Sequence, residues 1–172
     1  MAVTEKKTMW QWSGASPKIV ERPIAASQGI YMAGTPCYVC TAGTVKIIHT
    51  TDGASHPIHG FICEGVAAEL AVNTLIKIAL VDKDAVYALF CDSSDTDSAV
   101  TQAAVGNKYG FTVSAVAGHV GYTTLNLGSG STNVQALVHD IASNFGTPYS
   151  TSDNPGVALV KIPVAYIQVT AS

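Results

Sequence analysis

The sequence predicts an all-β fold, a small β-barrel or sandwich of short antiparallel strands behind an extended N-terminal arm. Three observations predict it. Ala, Val, Thr, Ser and Gly dominate while aromatic residues make up only 8%, a composition that suits thin packed strands better than long amphipathic helices. From Gly29 onward the apolar residues come in short runs separated by Gly, Pro, Asn, Asp and Ser, the punctuation of strands and turns. At 172 residues the chain is also long enough to bury a real core as one domain or two small ones.

Residues 1–28 differ in texture from the rest. They hold both tryptophans, with Pro17 and Pro23 in a polar background, and a segment of this kind cannot bury enough of its own surface to fold alone. It is expected to be an extended arm, disordered or ordered by lying on a partner, ahead of a β-domain over 29–172. Trp10 and Trp12, two apart, project to the same side of an extended strand. They either cap the domain's own core or anchor the arm on a neighbouring subunit, aromatics being favoured interface anchors.

The β-region then reads element by element. Ile30 to Cys40 is a strand bent at Gly34-Thr35-Pro36. Thr44 to Thr51 alternates, with Val45, Ile47 and His49 on one face and Lys46 and Ile48 on the other. Asp52-Gly53 is a hairpin signal, and Gly60 to Cys63 resumes an apolar strand. Glu64 to Asn73 is ambiguous: Val66, Ala67, Leu70 and Ala71 have helical spacing, which leaves room for one short helix.

Thr74 to Val81 and Ala85 to Cys91 read as strands, joined by Asp82-Lys83-Asp84 in the manner of a hairpin. Asp92 to Asp97 is a polar link that offers a split into two subdomains. Tyr109 to Val116 and His119 to Leu127 are further strands, and Val134 to Ile141 suits strand or helix. Ala142 to Gly156 is a long polar connection of the length that carries function. In the last run, Val157 to Val169, Pro163 points to a bulge or an edge position, since proline donates nothing to the ladder.

Composition removes several function classes. Hydrophobic residues make up 48% and charged residues 12% of the chain, about half the usual charged fraction, so part of the surface is expected to meet another protein. Nine basic against twelve acidic residues leave no stripe for a phosphate backbone, and nucleic acid is not an expected partner. The longest apolar run, Leu75 to Val81, is interrupted by Lys77 and falls far short of a bilayer span of roughly 20 residues. No apolar stretch follows Lys6 and Lys7 to make a signal peptide, so assembly is expected in a cytoplasm, and no membrane partner is expected.

Candidate chemistry is sparse. Cys37, Cys40, Cys63 and Cys91 are expected to be free thiols in a reducing compartment. Cys37 and Cys40 match C-x-x-C, but on a strand, where positions i and i+3 face opposite sides, and not at the helix start that activates a redox pair. His56 and His59 form H-P-I-H, a spacing that could place two imidazoles on one metal, yet no second ligand pair has close spacing. Asp92, Asp95 and Asp97 lack the central Gly and terminal Glu of a calcium loop. Neither a phosphate-binding glycine loop nor a nucleophile elbow is present. The expectation is a non-enzyme with no cofactor and no metal.

Three segments carry a resemblance: Gly34-Thr35-Pro36-Cys37-Tyr38-Val39, Val105-Gly106-Asn107-Lys108-Tyr109-Gly110-Phe111 and Gly156-Val157-Ala158-Leu159-Val160-Lys161-Ile162. Together, over about residues 29 to 169, they resemble the capsid decoration (cement) proteins of tailed bacteriophages. In that family an early G-x-P strand opens a small β-barrel, a V-G-x-x-Y-G turn opens a later strand, and a C-terminal strand closes the domain. The arm and the loop 142–156 lie outside this pattern.

The resemblance implies a structural virion protein that binds the outer surface of an icosahedral shell and stabilises it. Its partners would be the major capsid protein and sister copies, as trimers at local three-fold positions. The contact residues expected from the arm are Trp10, Trp12, Pro17, Ile19 and Pro23. The alternative function is carbohydrate binding through loops 52–60 and 142–156, and a small metal-dependent enzyme using His56, His59 and the cysteines is the third hypothesis.

Overall fold

The structure, a computed structural model, describes residues 9–48, 56–93, 96–113, 123–128, 135–145, 150, 152 and 155–168. Among these residues the strands follow in chain order as β1 (Trp10–Ser13), β2 (Ile19–Pro23), β3 (Pro36–Val39), β4 (Val45–Ile47), β5 (Gly60–Ile62), β6 (Leu75–Leu80), β7 (Val86–Ser93), β8 (Thr96–Asp97), β9 (Lys108–Val113), β10 (Thr123–Asn126), β11 (Ala136–Ile141) and β12 (Val157–Lys161). The protein is all-β, and its helical turns among the described residues are short 3₁₀ segments at 102–104, 142–145 and 164–166.

The first sheet has the order β2-β6-β5-β3-β4, antiparallel throughout. Its two edges then meet. Ile24, just past β2, bridges Val45 of β4, and the Ala25 amide donates to the Val45 carbonyl at 2.8 Å. Period-two alternation fills the space so enclosed: Val45 and Ile47 are buried and Lys46 exposed, and Ile76 and Ile78 are buried between exposed Leu75 and Lys77. Ile24, Tyr31, Cys37 and Ile62 complete this core. Gly60 allows the tightest approach, because a Cβ there would run into the Ala79 carbonyl of β6.

The second sheet has seven strands. Five of them, β7-β10-β9-β11-β12, form a closed ring, because β12 returns to pair with β7. The β7–β10 pairing is parallel and the others are antiparallel. Closure removes the unpaired edge that an open sheet would present. β7 serves as the hub: β1 pairs along its first half, with Trp10 opposite Ala88, and β8 folds back on its end.

One core joins the sheets. Tyr38, Ile48, Ile58 and Phe61 face outward from the first sheet and pack with Tyr87, Leu89, Cys91 and Val160 of the second. The Phe61 and Tyr87 rings lie 4.8 Å apart, tilted by 53°. The C-terminal segment ties the same seam. Ile58 donates to the Tyr166 carbonyl at 2.6 Å, and the Gln168 side chain both accepts from the Val39 amide and donates to the Val39 carbonyl, each at 2.7 Å.

Several expectations are corrected by this topology. Residues 64–73 are not a helix: the Val66 amide donates to the Tyr31 carbonyl and the Asn73 amide to the Ile24 carbonyl, so the segment spends its donors on neighbouring chain. β6 and β7 do not form a hairpin, since they belong to different sheets and the chain crosses between them at 81–85. Asp92, expected in the link after the strand, lies within β7, where it pairs with Asp97 of β8. Pro163 lies past the last strand, which ends at Lys161, and opens the 3₁₀ turn at 164–166. Ile48 does lie opposite Val45 and Ile47, as expected, and is buried there in the seam between the sheets. The Asp52-Gly53 turn and His49 lie outside the described residues.

Candidate binding surfaces

Both tryptophans cover the chain's own sheet. Residues directly opposite in a ladder share a face, so the Trp10–Ala88 register places Trp10 on the outer side of the ring with Ala88 and Phe90. Its ring lies 5.8 Å from Phe90, and Trp12 lies 5.9 Å from Phe145. They are half-buried over Val86, Ala88, Phe90, Ala142, Val157 and Leu159. From Met9 on, the segment expected as an arm is ordered within the chain itself: β1 pairs with β7 and β2 with β6.

Pro17 borders a groove of about 460 Å³ between the β1–β2 connection, the end of β6 and the C-terminal 3₁₀ turn. Pro17, Leu80, Val81, Val164 and Ile167 give it an apolar floor, and Lys18, Asp82 and Lys83 stand around it. Val164 is 65% exposed, an aliphatic side chain left open beside a concave surface.

Ile19 and Pro23 lie on a second surface, the outer face of the β2–β6 ladder. Val20, Arg22 and Ile24 fall on the inward side, because Val20 is opposite Ile78 and Arg22 opposite Ile76. Ile19, Glu21 and Pro23 therefore point out, beside Ala79, Lys77 and Leu75 respectively. Ile19 is 54% and Leu75 63% exposed. Leu75 was not among the contact residues expected from the sequence, because its partner strand β2 lies far away in the chain.

The titratable groups are arranged for packing. Cys37 is inside the first sheet, where burial pushes its thiol pKa far up despite a hydrogen bond to the Gly60 carbonyl. Burial likewise pushes Cys91 up to about 12. Cys40 lies on the opposite side from Cys37, as the strand spacing requires, and its thiol is lowered by the Thr44 hydroxyl 3.0 Å away. All four cysteines are free.

His56 stacks flat on Tyr38, with centroids 4.1 Å apart, while His59 is buried. Burial lowers the His59 pKa and the Arg22 charge adds to this, the Gln168 backbone working against them. Among the described residues no three His, Cys, Asp or Glu side chains gather as metal ligands do. Asp92 is buried on β7, Asp95 lies outside the described residues, and His139 is exposed on β11. His119, residues 52–55 of loop 52–60 and part of loop 142–156 also lie outside them. Among the described residues no helix is long and apolar enough to cross a membrane.

No protein-family model matches the chain, and no curated protein sequence matches it.

Proposed function

We propose that this chain is a structural virion protein that binds the outer surface of an icosahedral capsid and stabilises it, with the major capsid protein as its partner. The observation that carries the reading is the pairing of a rigid body, built on a closed ring of strands, with apolar side chains left open on its surface. Reinforcement of a shell requires contact area and stiffness, not an acid, base or nucleophile. The low charged fraction and the three segments that resemble decoration proteins support the same reading.

The groove beside Pro17 and Val164 is the surface assigned to the shell. Its apolar floor gains roughly 25 cal/mol for each Å² removed from water, and Lys18 and Lys83 at the rim offer charge for registration. Several copies bound to one lattice multiply modest contacts through effective concentration.

The test is co-sedimentation of the full chain with assembled shells of the particle encoded alongside it. Saturable binding is expected, with a Val164→Asp chain of unchanged circular dichroism weakened at least about tenfold, one such charge in an apolar contact being worth about 1.4 kcal/mol or more. A wild-type chain that stays in the supernatant at every shell concentration overturns the proposal.

A further inference from the structure

We infer that the outer face of the β2–β6 ladder is a two-fold contact between copies of this chain, with Glu21 of each copy set against Lys77 of the other. The register carries the inference. Along this face the cross-strand neighbours are Ile19 with Ala79, Glu21 with Lys77, and Pro23 with Leu75. An opposite-charge pair therefore stands at the centre with an apolar pair on each side.

A two-fold axis parallel to the strands and midway between β2 and β6 lays β2 of one copy over β6 of the next. Each residue then meets the equivalent of its own cross-strand neighbour. Ile19 meets Ala79, Pro23 meets Leu75, and the central Glu21 meets Lys77 twice, once from each copy. Every contact is complementary, which is the requirement of an isologous interface. Had the central pair carried like charges, the same operation would have placed four of them together.

The exposures agree with a face that lacks a cover among the described residues. Ile19 and Leu75 are more than half exposed. Lys77 keeps its charge available, since its contact with Glu64 is a loose 3.6 Å between side chains themselves 53% and 74% exposed. Sheets packed face to face keep their strands within about 30° of each other, which the parallel axis satisfies. The inference is independent of capsid binding and of whichever symmetry would place the chain on a shell.

Sedimentation equilibrium on the full chain tests it. A concentration-dependent dimer is expected, weakened at least about tenfold by Leu75→Lys and by either charge reversal, Glu21→Lys or Lys77→Glu, because each single reversal gathers four like charges. The double reversal should restore the dimer to within about threefold of wild type, a recovery that general surface damage does not produce. Circular dichroism and thermal unfolding of each variant confirm that the fold is kept. A chain that remains monomeric, a dimer or trimer indifferent to Leu75→Lys, or a double reversal as weak as the singles would each overturn the contact.

Discussion

The Trp10 indole lies 5.8 Å from the Phe90 ring, tilted by 55°, and so joins the first strand of the chain to the hub strand of the second sheet. Tilted aromatic pairs at this spacing add to the burial of the rings themselves. The β1–β7 ladder supplies the backbone half of the same attachment. Trp10→Ala is expected to destabilise the fold by about 2–3 kcal/mol, below the value for a fully buried ring because Trp10 is half-buried. Urea unfolding monitored by circular dichroism checks this, and an unchanged midpoint would show that β1 is held by other means.

Gly34 has φ 86, and a Cβ placed there would run into the Met9 carbonyl. Gly34→Ala is therefore expected to cost about 1–3 kcal/mol through backbone strain and displacement of the chain ahead of β1. The local signature is hydrogen exchange. Amides of β1 should lose protection before those of β12, and equal protection in both would exclude the link between Gly34 and Met9.

Stability should depend on pH through His59. Its folded pKa lies below the ordinary 6.5 because the ring is buried, so the unfolded chain takes up the proton more readily. Above pH 6.5 both states are neutral here and the residue adds no pH dependence. As pH falls from 6.5 toward the folded pKa, stability declines, by at most about 1.4 kcal/mol per pH unit from one site. Denaturant titrations of wild type and His59→Gln between pH 5 and pH 8 measure the difference, and identical slopes would remove His59 as its source.

Thiol reactivity should follow burial. Cys40, half-buried and lowered by Thr44, is expected to react with iodoacetamide at pH 8 at least about tenfold faster than Cys91 or Cys37, whose thiols stay protonated. Mass spectrometry of timed digests gives the order. Thr44→Val should slow Cys40 alone. Labelling of Cys37 under native conditions at the rate of Cys40 would contradict its place inside the first sheet.

Much of the strand set was legible from local pattern. Val45-Lys46-Ile47 alternates over a core that one side of the strand must face, so its outward and inward residues followed from the sequence. The opposite faces of Cys37 and Cys40 followed in the same way. What misled was segment-local: the helical spacing of residues 64–73 carried no information about the Tyr31 and Ile24 carbonyls that take their amides, and the polar Asp82-Lys83-Asp84 turn looked the same whether it closed a hairpin or passed between sheets.

Composition and the two-residue repeat of a strand were enough to establish the all-β class, the opposite faces of Cys37 and Cys40 and the shared side of Trp10 and Trp12. Which strands pair, and with that the placement of residues 9–28, emerged only from the tertiary structure. Only the β1–β7 register turns the tryptophans onto their own sheet, and only the β2–β6 register sets Glu21 beside Lys77 between apolar neighbours. Pairing of strands far apart in sequence rests on the summed burial of both faces, a quantity that no single segment contains.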